Sequence, residues 1–230
     1  MRSNAKKDLV FGEVNQRENA ELFVEKGVKM QNLSDFIFID FETTGRDLAG
    51  RYYFDKNVPK QDAVQIGLVW YDGLEFESAH SYIKPPSAYF NLEWSFASPK
   101  KEYSENAPTF DKLFPILVGL VGKKTFVAHN AKFDKKVMED TLDYYNKPMF
   151  TNEWLCTKDM SKEYFNSPTK CFDTCRSECS GHTLSHLHHE FGFGDYLEHD
   201  AVADTMAVAN IFQILYKDKP AQEKPDWIFV

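Results

Sequence analysis

Phe36, Ile37, Phe38 and Ile39 follow one another without a polar break. An apolar run rich in Ile and Phe predicts a strand over about 36–42, buried on both faces in the middle of a sheet. Two further strands are expected at 63–71 and 76–83. The turn dipeptide Asp72-Gly73 separates them, and Pro85-Pro86 closes the second. Apolar positions three and four apart then predict helices over 108–121, 133–145, 183–191 and 201–216. Thr109 is placed to cap the first of these, although Pro115 interrupts its early turns. Phe133, Val137, Met138 and Leu142 form the core face of the second, Gly192 ends the third, and Ala201, Ala203, Ala207 and Ala209 let the fourth pack closely. Short apolar runs at 125–128 and 155–157 add strands. The stretches 46–60, 87–107 and 158–180 show no period. Strands clustered early, then alternating with helices, argue for a mixed α/β sheet with helices on its faces. Residues 1–34 are polar and mixed in charge, with Leu22, Phe23 and Val28 as a weak helical set over 18–30. The expected organisation is an N-terminal extension at 1–34, one domain at 35–217 and a C-terminal tail at 218–230.

The first strand carries a conflict. Asp40 and Glu42 stand where burial should be deepest, and strand side chains two apart share a face. Two anions side by side at a buried strand end repel each other and lose hydration. A cation between them relieves both costs, and Mg²⁺ and Mn²⁺ prefer oxygen ligands. Two solvated acids at an exposed strand end explain the same residues equally well, and this stretch alone does not choose.

Composition narrows the classes. The 230 residues, 43% hydrophobic and 15% aromatic, supply a sizeable core. A net charge of −8 argues against coating duplex nucleic acid by bulk electrostatics, but leaves room for a local basic groove or a metal-bridged phosphate site. No apolar run reaches the length of a membrane helix, and no apolar core of a signal peptide follows Met1 to Lys7. Four cysteines in a chain of this length suit a reduced compartment. A soluble, cytoplasmic protein without a membrane partner is expected.

Two more stretches carry acids in ordered settings. His129-Asn130-Ala131-Lys132-Phe133-Asp134 follows a predicted strand and opens a helix. Asn130 is placed to cap that helix, and Asp134 lies in its first turn, near the positive end of the dipole. His199-Asp200-Ala201-Val202-Ala203-Asp204 repeats the arrangement, with Asp200 as the N-cap, Asp204 in the first turn and His199 just ahead. Taken singly, an acid in a first helical turn is a common stabilising device. Taken in order, Asp40-x-Glu42, His129-Asn130-x-x-Phe133-Asp134 and His199-Asp200-Ala201-x-x-Asp204 resemble the three motifs of the DEDDh exonucleases. These are the DnaQ-like family of the ribonuclease H-like fold. Asn106-Ala107-Pro108-Thr109-Phe110 resembles the segment ahead of the family's second motif. The resemblance spans roughly 35–217.

It implies a ribonuclease H-like mixed central sheet flanked by helices. It also implies that Asp40, Glu42, Asp134 and Asp204 hold two divalent cations, Mg²⁺ or Mn²⁺. His199 matches the general base, and an imidazole can take a proton from water near neutral pH. Thr43, Thr44, Arg46, His129, Asn130 and Phe133 match positions that contact the substrate end or shape its site. The implied activity is 3′→5′ hydrolysis of phosphodiester bonds at single-stranded DNA ends, releasing nucleoside 5′-monophosphates. RNA ends are the alternative within the class. A catalytically silent module docking nucleic acid or protein is the alternative outside it. A polymerase partner and a homodimer both stay open.

The chain departs from the family pattern in places. Arg46 stands where the family often has an apolar residue after Thr-Thr-Gly, and both the 46–60 loop and the stretch before 180 are long. Tyr52, Tyr53 and Phe54, with Arg46 and Arg51, make the loop a candidate for stacking on bases, against the plainer reading of a loop folding its own aromatics down. Lys132, Lys135 and Lys136 either attract phosphate or form a solvated face. Cys171, Cys175, Cys179 and His182 raise the question of zinc. On one helix the outer cysteines would be about 12 Å apart along the axis, too far for one tetrahedral ion, so reduced thiols are expected. His182, His186 and His189 are expected on one solvated helical face.

Overall fold

The computed structural model describes residues 33–44, 62–86, 101–168, 181–217 and the backbone of 228–229. The expected helix at 18–30, the 46–60 loop with Arg46, and Cys171, Cys175 and Cys179 lie outside the described residues.

The apolar run becomes β1 (Phe36–Thr43), the strand on which both cores are built. Alternation sends Ile37, Ile39 and Phe41 to one face and Phe36 and Phe38 to the other. β2 (Ala63–Tyr71) and β3 (Phe76–Tyr82) extend the sheet antiparallel on one side of β1. β4 (Thr125–Ala128) and β5 (Trp154–Cys156) extend it in parallel on the other, and β6 (Ile228–Phe229) adds an antiparallel edge. The strand order is β3-β2-β1-β4-β5-β6. The β2–β3 turn uses the Asp72 carboxylate, whose Oδ1 accepts the amides of Leu74 and Glu75, with Gly73 at φ 109°.

Ile37, Ile39 and Phe41 pack against α2 (Phe110–Val121), through Phe110, Leu113, Leu117 and Val121, and against α3 (Lys132–Tyr144), through Val137, Met138 and Leu142. α1 (Lys101–Glu105) precedes α2 and buries Ser104. On the opposite face, Phe36 and Phe38 meet Phe212 of α6 (Ala201–Lys217) at ring distances of 4.9 and 5.3 Å. Met160 of α4 (Thr157–Tyr164) and Leu187 of α5 (Leu184–His188) complete this second core. Pro115 is tolerated inside α2 because it lies on the exposed side, where water can bond the carbonyl it leaves unpaired. Among the described residues no helix is long and apolar enough to cross a membrane.

Several expectations need correcting. The stretches 87–107 and 158–180 contain α1 and α4. The helix expected at 183–191 holds α geometry only to His188, then passes into a π turn ending around Gly192 at φ 86°. A strand beyond 155–157 is not among the expectations, yet β6 pairs with β5 inside the expected C-terminal tail. His182 is not on a solvated helical face: it lies ahead of α5, 1% exposed, with φ 60°.

Candidate active site

The site forms where β1 outruns β4. The two strands pair in parallel along the first part of β1, where Phe36, Ile37 and Phe38 face Thr125, Phe126 and Val127. Beyond the end of β4, the first turn of α3 takes over, and Asp134 Oδ1 accepts the Phe41 amide at 3.1 Å. A crevice at the carboxyl ends of neighbouring strands is a general ligand position in α/β sheets. Asp40 and Glu42 reach its α6 side, opposite Gly67 and Gln65 of β2.

α6 is seated by an interlock with β2. Asp200 Oδ1 accepts the amides of Val202 and Ala203 at 3.2 and 3.1 Å, which caps the helix. Its Oδ2 accepts Gln65 Nε2 at 3.2 Å, while Gln65 Oε1 accepts the Ala201 amide at 3.4 Å. Gly67 makes the approach feasible: a Cβ there would fall on the Ala201 carbonyl and lie 2.7 Å from Thr205 Oγ1. So seated, Asp204 lies one turn into the helix, 8% exposed. Its Oδ1 accepts the Tyr196 hydroxyl at 2.8 Å and its Oδ2 the His199 amide at 3.0 Å.

Asp40, Glu42 and Asp204 each offer a carboxylate oxygen within 4.8 Å of the others. Asp134 stands beside this trio, and its charge acts on Asp40. Burial and mutual repulsion oppose ionisation throughout. Burial raises Asp40 well above the usual carboxylate range, and Asp134, Asp204, Glu42 and Asp200 add to it. Glu42 is pushed up to about 8 by burial, then by Asp204 and Asp200. Burial also raises Asp134, against the pull of the Phe41 amide. Asp204 rises to about 6, burial being partly offset by the Tyr196 hydroxyl and by His199.

The other residues singled out by sequence divide. His199 is exposed, in the left-handed region at φ 63°, with its backbone against Asp204. Thr43 is buried, and Thr44 donates its amide to the Asp62 carbonyl at 3.0 Å. Asn130 is exposed and does not cap α3 with its side chain. It turns left-handed at φ 61°, its carbonyl accepts the Phe133 amide at 2.8 Å, and the N-cap position falls to Ala131. Phe133 packs against the α2–α3 core. His129 has both ring nitrogens engaged by protein, Nδ1 with Thr157 Oγ1 at 3.0 Å and Nε2 with the His182 carbonyl at 2.8 Å. Burial pushes its imidazole down to about 3, so it sits as a neutral strut under the Asn130 turn. His182 bonds Ser161 Oγ at 2.8 Å and the Ser167 carbonyl at 2.9 Å, so both its ring nitrogens are engaged by protein.

Gln65, Gly67 and Tyr196 were not singled out from sequence. Gln65 and Gly67 had a signal, as a polar residue and a glycine breaking the apolar strand at 63–71. Tyr196 had none.

A mixed sheet flanked by helices, with acids gathered at the end of its central strand, defines the ribonuclease H-like nucleases of DnaQ type. The model of the exonuclease family, RNase_T, matches residues 37–212, and the chain belongs to that family. A PolC-type DNA polymerase III from Thermotoga petrophila is 24% identical over 77% of this chain, and the chain spans only 11% of that protein's length. The DNA polymerase III subunit epsilon of Buchnera aphidicola subsp. Baizongia pistaciae is 21% identical over 78% of this chain and 69% of its own. The nuclease domain of 3′hExo, a DEDDh family member solved with rAMP bound, has a TM-score of 0.59 at 15% identity. That match covers 80% of this chain and 92% of that one.

Proposed function

We propose that this protein is a metal-dependent exonuclease that shortens single-stranded DNA from its 3′ end and releases nucleoside 5′-monophosphates. The observation that carries the reading is the gathering of Asp40, Glu42 and Asp204 oxygens within 4.8 Å of one another. The donor set fits two divalent cations such as Mg²⁺ or Mn²⁺. It is all oxygen and anionic, and burial and repulsion penalise its ionised form until a cation offsets them. Asp40, Glu42 and Asp204 would hold the cations, with Asp134 completing the set. Bound there, divalent cations supply charge stabilisation and an activated water for phosphodiester hydrolysis.

The chain's own residues do the rest. His199, exposed beside Asp204, takes the proton from the attacking water. Its neutral ring has the lone pair this requires. Thr43 at the end of β1 and Thr44 next to it receive the terminal nucleotide, together with Arg46, two residues further along the sequence. Asn130, exposed on its turn, reaches the substrate. His129 and Phe133 support that turn from below.

DNA is favoured because the sequence relatives are components of DNA polymerase III. A polymerase partner is a proposal on the same ground. RNA is the second reading, favoured by the rAMP-bound fold neighbour. A silent docking module is the weakest, since docking gives no reason to hold mutually repelling buried acids together. The test is a 5′-labelled single strand of one sequence, as DNA and as RNA, incubated with Mn²⁺. Stepwise shortening of DNA faster than RNA is expected. Faster loss of RNA transfers the proposal to RNA ends, and internal cleavage or release of the 5′ label as mononucleotide overturns it.

A further inference from the structure

Tyr196 lies on the segment between α5 and α6. That segment is anchored from the interior of α6. Asn210, 4% exposed, and His188, 5% exposed, are paired at 3.2 Å through Asn210 Nδ2 and His188 Nε2. The amide NH₂ can only donate, so Nε2 accepts, and the proton of the neutral ring sits on Nδ1. That N–H meets the Gly194 carbonyl at 3.0 Å. Burial keeps the His188 ring below its ordinary range, which favours this neutral tautomer. The same ring meets the Tyr196 ring edge-on, with centroids 4.9 Å apart. Two residues after Gly194, the Tyr196 hydroxyl lands on Asp204 Oδ1 at 2.8 Å.

We propose that Tyr196 is a positioning residue, whose hydroxyl fixes the Asp204 carboxylate so that its unused lone pairs face Asp40 and Glu42. A carboxylate offers about four lone-pair sites. The Tyr196 hydroxyl takes one on Oδ1 and the His199 amide one on Oδ2. One site on each oxygen remains for a ligand. Such outer partners fix the orientation of a metal-binding group and tune its affinity.

The inference rests on the proposal that this carboxylate set binds divalent cations. The test is calorimetric titration of Mn²⁺ into the full chain, without substrate, for wild type, Y196F and Y196L. Melting temperatures are taken in chelator. Y196F removes one oxygen and keeps the ring against His188. Y196L removes ring and hydroxyl together. Both should bind Mn²⁺ about tenfold or more weakly than wild type, while only Y196L melts markedly lower. Wild-type affinity in Y196F, or affinity that follows melting temperature instead of the hydroxyl, overturns the positioning role and leaves the metal reading standing. No Mn²⁺ binding by wild type overturns both.

Discussion

Replacing Glu42 with Gln keeps its size and polarity and removes its ability to ionise. In the metal-free protein the Glu42 carboxyl is pushed from 4.5 to about 8, first by burial and then by Asp204 and Asp200. The sign follows from linkage. The folded protein holds this proton more tightly than the unfolded chain. The stability it contributes is present below the unfolded value and lost as pH rises toward 8. Each factor of ten in proton affinity is worth about 1.4 kcal/mol, so the displacement sets a ceiling of about 5 kcal/mol at high pH. Solvent reaching the half-buried carboxylate lowers the figure to about 2–3 kcal/mol. Denaturant titration in chelator should therefore find E42Q about 2–3 kcal/mol more stable than wild type at pH 9 and nearly equal to it at pH 5. Saturating Mg²⁺ should restore wild type at pH 9 and help E42Q less. Equal stability of the two at pH 9 in chelator would refute the reasoning, because repulsion and burial at the trio would then cost nothing.

The other predictions follow from the same geometry. His199→Asn should lower kcat about 10²–10⁴-fold with Mn²⁺ affinity unchanged; steady-state kinetics with calorimetry check it, and an unaltered kcat removes the base assignment. Gly67→Ala should destabilise by about 3 kcal/mol and weaken Mn²⁺ binding, because its Cβ meets the Ala201 backbone that seats Asp200 and Asp204; a thermal melt within a degree or so of wild type contradicts the close approach. Asp62 is buried, its Oδ2 has no hydrogen-bond partner among the described residues, and burial pushes it up to about 7. Asp62→Asn should therefore stabilise by about 2–3 kcal/mol at pH 8.5 and hardly at pH 3.5, below both the unfolded and the folded values, with denaturant titration as the check.

Much of the sheet is legible because its signals are local. The β1 run has no polar break before Asp40, and Asp72-Gly73 announces its turn. α1 and α4 are not legible. Five residues cannot show a helical period, and α4 buries only Thr157, Met160 and Ser161 of an otherwise polar stretch. β6 is two residues long and is defined only by its partner β5. At the site, the shared face of Asp40 and Glu42 follows from strand alternation, and the nearness of Asp134 and Asp204 from motif order. The supports are tertiary. Gln65 bonds Asp200 across 135 residues, and nothing near position 196 marks its hydroxyl for Asp204. Asn130 shows the limit of a local rule: its backbone turns left-handed, so the carbonyl takes the role expected of the side chain.

Metal dependence of product release tests the central claim most directly. Wild type and Asp40→Ala are each given a uniformly labelled single-stranded DNA in excess chelator, then with Mg²⁺ or Mn²⁺ restored. The prediction is no nucleoside 5′-monophosphate in chelator, stepwise release by wild type once either ion returns, and almost none from folded Asp40→Ala under any condition. Undiminished release in excess chelator, or full activity of Asp40→Ala, would contradict it.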